Sequence, residues 1–250
     1  MTAITVAIMV KNEAQDITDC LASINWANEI IVLDSGSTDG TQEICKKLGA
    51  KVIDTDWPGF GEQSNRALDL TTTEWCLLLD ADERVSPELK KEIQQVLHNP
   101  QDCVAYKTPR LNFVNNRAIT HCLSPKGDQP TRLIKKGYGR FSDIVHPRAI
   151  INGKIGVLKN NLLHFPFHNI QEMIEKMNSY SSLSAIKLAA QGKSSGILKS
   201  LIHAIWTFIR MYFLKLGFLD GWPGFLIALS NFEGTFYRYA KLKEIADRGE

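Results

Sequence analysis

Cys76-Leu-Leu-Leu-Asp-Ala-Asp-Glu83 joins a short apolar run to three acids, Asp80, Asp82 and Glu83. Four or five apolar residues closed by a turn read as a strand buried on both faces. Carboxylates at the carboxyl end of such a strand sit at the mouth of an open α/β sheet, where ligands bind. Asp80 and Asp82 are two apart, so in an extended segment their side chains share one side. Like charges that close repel unless a cation lies between them. Hard divalent cations take oxygen ligands, and Mg²⁺ is usually held by one or two carboxylates together with substrate phosphates. An isolated Asp-x-Asp also reads as a solvated turn ahead of the next helix, so the decision passes to the flanking chain.

Upstream, Ile4–Val10 is a second buried apolar run, followed by Ala14, Ile17, Leu21 and Ile24 at helical spacing. Residues 29–33 form another strand, ending at Asp34. Asp34-Ser-Gly-Ser-Thr-Asp-Gly-Thr41 is dense in turn formers and in residues that cap helix N-termini. The spacing predicts a helix from there to Lys47 or Leu48, stopped by Gly49, and a short strand over 51–54. A loop over 57–62 leads into a helix carrying Asn65, Arg66, Ala67 and Leu68. Downstream of the acids, Ser86-Pro87 opens a helix with Leu89, Ile93, Val96 and Leu97 as its apolar face. Strands alternating with helices make a parallel sheet with right-handed crossovers. Residues 1–98 therefore read as the nucleotide-binding half of a doubly wound α/β fold. Beyond His98, strands are expected at 103–107, 131–136 and 148–158 with long polar connections, a mixed sheet completing the site.

From Ile170 the chain turns helical, with Ile170, Met173, Ile174, Met177 and Tyr180 in step. Residues 197–219 are apolar and aromatic, approaching the ~20 residues a membrane span needs, but they include Lys199, His203, Arg210 and Lys215. At 100° per residue, Lys199, His203 and Arg210 fall within about 40° of one another, a basic stripe that reads as a helix lying in a membrane interface. Packing on the domain or on a second subunit, and true spanning, are the other readings. Asp220-Gly-Trp-Pro-Gly224 breaks this helix, and another is expected to about Lys243. The domain expectation is a nucleotide-binding and catalytic domain over 1–165 and a helical region over 166–250.

Composition narrows the class. A chain of 250 residues with 44% hydrophobic residues supports a large core, and a net charge of +2 gives no ground for a nucleic-acid partner. Five scattered cysteines without a C-x-x-C pair suit free thiols in a reducing compartment. No basic segment precedes Ile4–Val10, so this run is not a signal peptide and a cytoplasmic setting is expected.

Lys11-Asn12-Glu13, Asp34–Thr41 and Asp80–Glu83 all fall at carboxyl ends of expected strands, and their convergence favours a site over three independent turns. The second cluster suits an anion or nucleoside, because its small residues let a ligand approach a helix N-terminus. It is neither G-x-G-x-x-G nor a Walker A loop. Together, Val10-Lys-Asn-Glu-Ala14, Asp34–Thr41, Asn65-Arg66-Ala67 and Leu79-Asp-Ala-Asp-Glu83 resemble the family-2 glycosyltransferases of GT-A fold. The resemblance covers roughly residues 4–165. Arg132-Leu-Ile, Phe141-Ser-Asp-Ile-Val-His146, Leu163-His164 and Asp220-Gly-Trp-Pro-Gly-Phe225 resemble a narrower group, the bacterial lipopolysaccharide-core β-glucosyltransferases acting on inner-core heptose.

The resemblance implies an inverting transfer from a UDP-sugar, with UDP-glucose the expected donor and a lipid-linked saccharide the acceptor. Asp34 and Ser35 would contact the uridine, Asn12 and Glu13 would border base and ribose, and Arg66 would approach the nucleotide. Asp39 fits equally as a ligand or as a cap for the helix beginning there. Asp80 would lie near the ribose and Asp82 would hold Mg²⁺ or Mn²⁺, with His164 either completing the metal shell or serving structure. The acceptor hydroxyl needs a base. Asp143 is the leading candidate and His146 the second, and the acid expected after this histidine is replaced by Pro147. The setting implied is peripheral, on the cytoplasmic face of the bacterial inner membrane. The alternatives are another donor or a polyprenyl-phosphate acceptor, a sugar-1-phosphate nucleotidyltransferase, which would show a Gly-rich basic loop after the first strand, and a non-catalytic binding module.

Overall fold

The computed structural model describes residues 2–142 and 148–248. Its first strand, β1 (Ile4–Val10), is buried at every position, and its one hydroxyl, Thr5, donates to Glu29 at 2.7 Å. The chain continues through α1 (Ile17–Ser23), β2 (Glu29–Asp34), α2 (Thr41–Lys47), β3 (Lys51–Asp54), α3 (Phe60–Leu70) and β4 (Trp75–Asp80). After the acid turn come β5 (Glu83–Val85) and α4 (Pro87–His98). The Ser86 side chain caps α4 by accepting the Leu89 amide at 3.1 Å, with Pro87 in its first turn, as the Ser-Pro pair predicts. Then follow β6 (Cys103–Lys107), β7 (Arg110–Val114), β8 (Arg117–Ala118), β9 (Thr131–Lys135), β10 (Gly139–Ser142), β11 (Arg148–Ile151), β12 (Lys154–Val157) and β13 (Leu162–His164).

Seven strands form the main sheet in the order β12-β6-β9-β4-β1-β2-β3. β1 runs parallel to β2 and β4, β2 to β3, and β12 to β6, while β9 is antiparallel to both β4 and β6. The strand alternation of β1 sorts its side chains to two layers. Val6, Ile8 and Val10 pack with Ile17, Leu21, Leu89 and Ile93 on one face. Ala7 joins Ile31, Leu33, Leu78, Ala67 and Leu68 on the other. Each fully buried aliphatic side chain contributes about 1.5–3 kcal/mol relative to exposure, so this alternation is what drives β1 to the centre. Parallel register then aligns strand ends: Val10 pairs with Asp34, Asp34 with Asp54, and Met9 with Asp80.

The structure departs from the sequence reading in several places, of which three bear on the site. The first helix begins at Ile17 rather than near Ala14, because Asn12 takes φ 57° and Glu13 accepts the amides of Asp16 and Ile17 in a turn. The strand expected over 148–158 is two strands, β11 and β12, separated at Asn152-Gly153. Gly153 has φ 147°, and an added Cβ would lie 2.6 Å from Val104 Cγ2, so no side chain fits there. The third is the antiparallel pair β5 and β13, which sets His164 opposite Glu83.

By its internal contacts the chain forms two compact units, Met1–Leu111 with Pro125–His164, and Asn112–Ser124 with Phe165–Glu250. The second unit is built on α5 (Ile170–Ala190), α6 (Ile197–Ile209) and α7 (Gly221–Arg248). α5 is capped by Asn169, which accepts the Glu172 amide at 2.8 Å, and it outruns the periodic segment ending at Tyr180. α6 passes through a π-helical turn, Arg210–Leu214, and a 3₁₀ turn, Gly217–Asp220, before the Gly221 break. Asp220 accepts the amides of Thr120 and Cys122 at 3.0 and 2.9 Å and lies 2.9 Å from His121 Nδ1. Against a burial penalty, these bonds hold its carboxyl below the usual range. α6 buries its small residues Ser200 and Ala204, while Leu198, Ile202, Ile205, Trp206, Ile209 and Phe213 are exposed. Lys199 and Arg210 are also exposed, whereas His203 stacks on Tyr239 with ring centroids 4.8 Å apart, which removes it from the expected basic stripe.

Candidate active site

Two acidic turns meet the same edge of the sheet. In the first, Asp34 is completely buried, and its Oδ1 accepts the amides of Gly36 and Ser37 at 2.9 and 2.8 Å and the Gln42 side chain at 3.0 Å. The glycine matters here, because Gly36 takes φ 86° to turn its N–H back on the carboxylate. Burial alone would raise the Asp34 pKa, but the hydrogen bonds from Ser37, Gln42 and Gly36 outweigh it and hold the carboxyl below the usual range. Its Oδ2 is buried with no hydrogen-bond partner among the described residues.

Asn12 and Glu13 are knitted onto this loop. The Asn12 amide donates to Ser37 Oγ at 2.8 Å, and its Oδ1 accepts the Thr38 amide at 2.8 Å. The Glu13 amide donates to Thr41 Oγ1 at 2.9 Å. Asp39 binds the Ala14 amide at 3.0 Å through one oxygen and the Thr41 amide and hydroxyl at 3.1 and 2.5 Å through the other. Its side chain thus ties the turn before α1 to the start of α2, where Gly40 is the N-cap residue. Ser35 is buried and receives a hydrogen bond from Gln63 at 3.1 Å. Arg66 pairs with Asp56 at 2.5 Å and reaches Gln63 Oε1 at 3.4 Å.

The second turn is held by cations. Arg84 donates to Ala81 O and Glu83 O at 2.6 and 3.1 Å and pairs with Asp16 at 2.7 Å. Glu83, completely buried, accepts the Asp80 amide at 3.0 Å and pairs with Arg132 at 2.6 Å and Arg110 at 3.4 Å. Arg132 also pairs with Asp80 Oδ2. Arg110 is itself bound to both oxygens of Asp128, at 2.9 and 3.0 Å. Burial pushes the Glu83 carboxyl above its usual value against the pull of the arginines. For Arg132 the burial penalty is outweighed by Asp80 and Glu83, which keep its guanidinium firmly protonated.

Asp82 Oδ2 lies 3.5 Å from His164 Nε2, both side chains partly buried. The β5–β13 pairing creates this juxtaposition of residues distant in sequence. Among the described residues no three His, Cys, Asp or Glu side chains are grouped to hold a metal ion. A carboxylate and an imidazole side by side fit a Mg²⁺ or Mn²⁺ that takes its remaining ligands from water and substrate phosphates. Asp143 and His146 lie outside the described residues.

Sequence reasoning assigned no site role to Arg110, Asp128, Gln42, Gln63 or Arg132. An arginine on a short strand reads as solvated surface, and only the alignment of β9 beside β4 reveals Arg132 as a partner of the acids. Asn65 was visible only as part of a motif. Its side-chain amide bonds both the carbonyl and the amide of Phe141, at 3.0 and 2.8 Å, and so anchors β10 to α3.

A mainly parallel sheet with one antiparallel strand and acid-bearing turns at its edge is a doubly wound α/β architecture of GT-A type. The family model described as "Glycosyl transferase family 2" matches residues 5–153, and the chain belongs to that family. It is 34% identical over 257 residues to an uncharacterized glycosyltransferase of Rickettsia felis, covering 98% of this chain and 90% of the relative. It is 29% identical over 247 residues to the lipopolysaccharide core biosynthesis glycosyltransferase LpsC of Rhizobium meliloti, covering 94% and 90%. A similar solved structure is glucosyl-3-phosphoglycerate synthase from Mycobacterium tuberculosis in complex with Mn²⁺, UDP and glucosyl-3-phosphoglycerate. That likeness has 27% identity and a TM-score of 0.39, and covers 45% of this chain and 44% of that one.

Proposed function

We propose that this chain is an inverting, divalent-metal-assisted hexosyltransferase that moves glucose from UDP-glucose onto a lipid-linked saccharide, such as the heptose of a lipopolysaccharide inner core. The observation that carries the reading is the pairing of two half-finished sites at one sheet edge. Asp34 offers a buried, ionised oxygen with no donor among the described residues, which suits the N–H of a uracil ring. Asp82 and His164 offer two donor atoms 3.5 Å apart, which suits a cation completed by a diphosphate. Asn12, Glu13 and Ser35 border the nucleoside in this reading, Asp80 faces the ribose, and Arg66 approaches the nucleotide once released from Asp56. Asp39 shapes the loop that carries the nucleoside contacts.

When bound, Mg²⁺ or Mn²⁺ neutralises the charge that develops on the departing diphosphate. The protein's own task is to hold the nucleotide still and to remove the proton of the acceptor hydroxyl, a role we assign to Asp143, with His146 as second candidate. The acceptor assignment draws on the name of the LpsC relative and on α6. Ile197–Leu214 is long and apolar enough by length and composition to cross a membrane, and 17% of that window is buried. Small residues inward and large apolar residues outward is the pattern of a helix facing lipid. With Lys199 and Arg210 exposed on the same helix, we place α6 flat in the interface of the cytoplasmic leaflet rather than across it.

The test is UDP release from a panel of UDP-sugars, with Mg²⁺ or Mn²⁺ and a lipid-linked or delipidated saccharide. Turnover should be greatest with UDP-glucose and should vanish in Asp82→Ala. Undiminished turnover in that variant sinks the metal assignment, and equal rates with the delipidated acceptor sink the membrane part.

A further inference from the structure

Arg132 is a cation that bridges two acids of the Asp80–Glu83 turn. A single nitrogen, Nη2, contacts Asp80 Oδ2 and lies 2.6 Å from Glu83 Oε1. Its side chain is 11% exposed and that of Glu83 is fully buried, so neither can turn to solvent without leaving a charge unpaired in the interior. Arg110 is a weak substitute for it, 3.4 Å from Glu83 and already bidentate on Asp128. Glu83 also accepts the Asp80 amide, so one buried carboxylate fixes both the Asp80 backbone and the guanidinium that covers the Asp80 side chain.

From this geometry we propose that Arg132 is a positioning residue that withholds Asp80 from the metal. The ion is left with Asp82 and His164 and binds firmly only together with the donor's diphosphate. This rests on the metal-assisted reading above and adds an order to it: free protein has low affinity for the cation, and the nucleotide brings the missing ligands. A divalent ion attracts a carboxylate more strongly than a guanidinium does, but displacing Arg132 would also strand Glu83. That coupling is what keeps Asp80 out of the metal shell.

The experiment measures Mn²⁺ binding by electron paramagnetic resonance of the free ion, with and without UDP, independently of turnover. Wild type should bind Mn²⁺ weakly alone and at least about ten-fold more tightly with UDP. Arg132→Met combined with Glu83→Gln removes the guanidinium without stranding a buried charge. It should bind Mn²⁺ without UDP about ten-fold more tightly than wild type, the size expected for a change in the shell around the metal ligands. Adding Asp80→Asn to this pair should abolish the gain, and Arg132→Lys should keep the dependence on UDP. Asp80→Asn alone, which disturbs the buried pair least, should change UDP-free binding by much less than ten-fold. A gain that is absent, or that survives Asp80→Asn, overturns the proposal, as does a large loss in Asp80→Asn alone. If wild type with UDP binds no Mn²⁺, the metal-assisted reading falls and this inference with it. Weak binding that UDP strengthens, without the Arg132-dependent gain, removes only the inference.

Discussion

Asp34, at the end of β2, and Glu83, which opens β5 just beyond the end of β4, are both completely buried carboxylates, yet they are satisfied by opposite means. Asp34 is held by neutral donors from Gly36, Ser37 and Gln42, two, three and eight residues away. Glu83 is held by charged donors from Arg110 and Arg132, 27 and 49 residues away. Neutral amides aimed by a tight loop favour the ionised form and leave an oxygen over, so the pKa falls and one atom remains for a ligand. Arginines from separate strands leave Glu83 no such vacancy, and bind the turn to the rest of the sheet instead. One acid keeps an oxygen without a donor among the described residues, and the other keeps its neighbours in place.

If that contrast is right, the largest loss of stability follows removal of Glu83. Glu83→Ala takes the fully buried partner from Arg132 and leaves it Asp80, and breaking one side of a buried pair costs about 3–5 kcal/mol. Glu83→Gln keeps the bond to the Asp80 amide and should cost distinctly less. Urea denaturation midpoints measure both. Equal losses would mean that the charge, which both variants remove, is what Glu83 contributes and that its bond to the Asp80 amide adds nothing. Its pH signature follows from the raised pKa: the folded state favours the proton, so stability from this group is present below the unfolded pKa and is lost as pH rises through the folded one.

Asp34 comes next. Truncation to Ala removes three hydrogen bonds to a charged acceptor but leaves neutral donors that water can reach once the carboxylate is gone. The expected cost is about 1.5–3 kcal/mol. The sign in acid is the reverse of that for Glu83. A folded pKa below the usual value gives stability that is complete above the unfolded pKa and is lost as pH falls through the folded one. Asp34→Asn should therefore flatten the acid limb of a stability–pH curve, and an unchanged limb would break the comparison with Glu83.

The same contrast explains what could be read in advance. β1, β2 and β4 follow from apolar runs that have only one way to be buried, and α4 from Ser86-Pro87 and its apolar stripe. The Asp34 loop was legible because its donors are its own neighbours in the chain. The Asp80–Glu83 turn was legible as acids, but its partners were not, since nothing in Thr131–Lys135 marks Arg132 as the residue that will meet Asp80. β5 and β13 are three residues each and too short to carry a period, so the approach of His164 to Asp82 rested on resemblance until their pairing supplied the contact. In the helical unit, the sequence spaces Lys199 and His203 as one stripe, and only packing reveals that His203 is spent on Tyr239.

The smallest effect belongs to Asp39, which shares the first turn with Asp34 and separates shape from binding. It is exposed, and its oxygens are engaged by the Ala14 and Thr41 amides and the Thr41 hydroxyl. Losing a carboxylate that satisfies amides at a helix start costs about 1 kcal/mol, so Asp39→Ala should lower stability by that amount. Asp39→Asn can still accept through its one carbonyl oxygen and should cost less. The two readings of this residue part on nucleotide affinity. A residue that only shapes the loop should weaken UDP binding, measured calorimetrically, about as much as it weakens the fold, and Asn should restore both together. A residue that touches the nucleotide through its charge should lose affinity in Asp39→Asn while stability recovers. Asp34→Asn supplies the scale for that result, because its uncommitted oxygen should make affinity fall further than stability does.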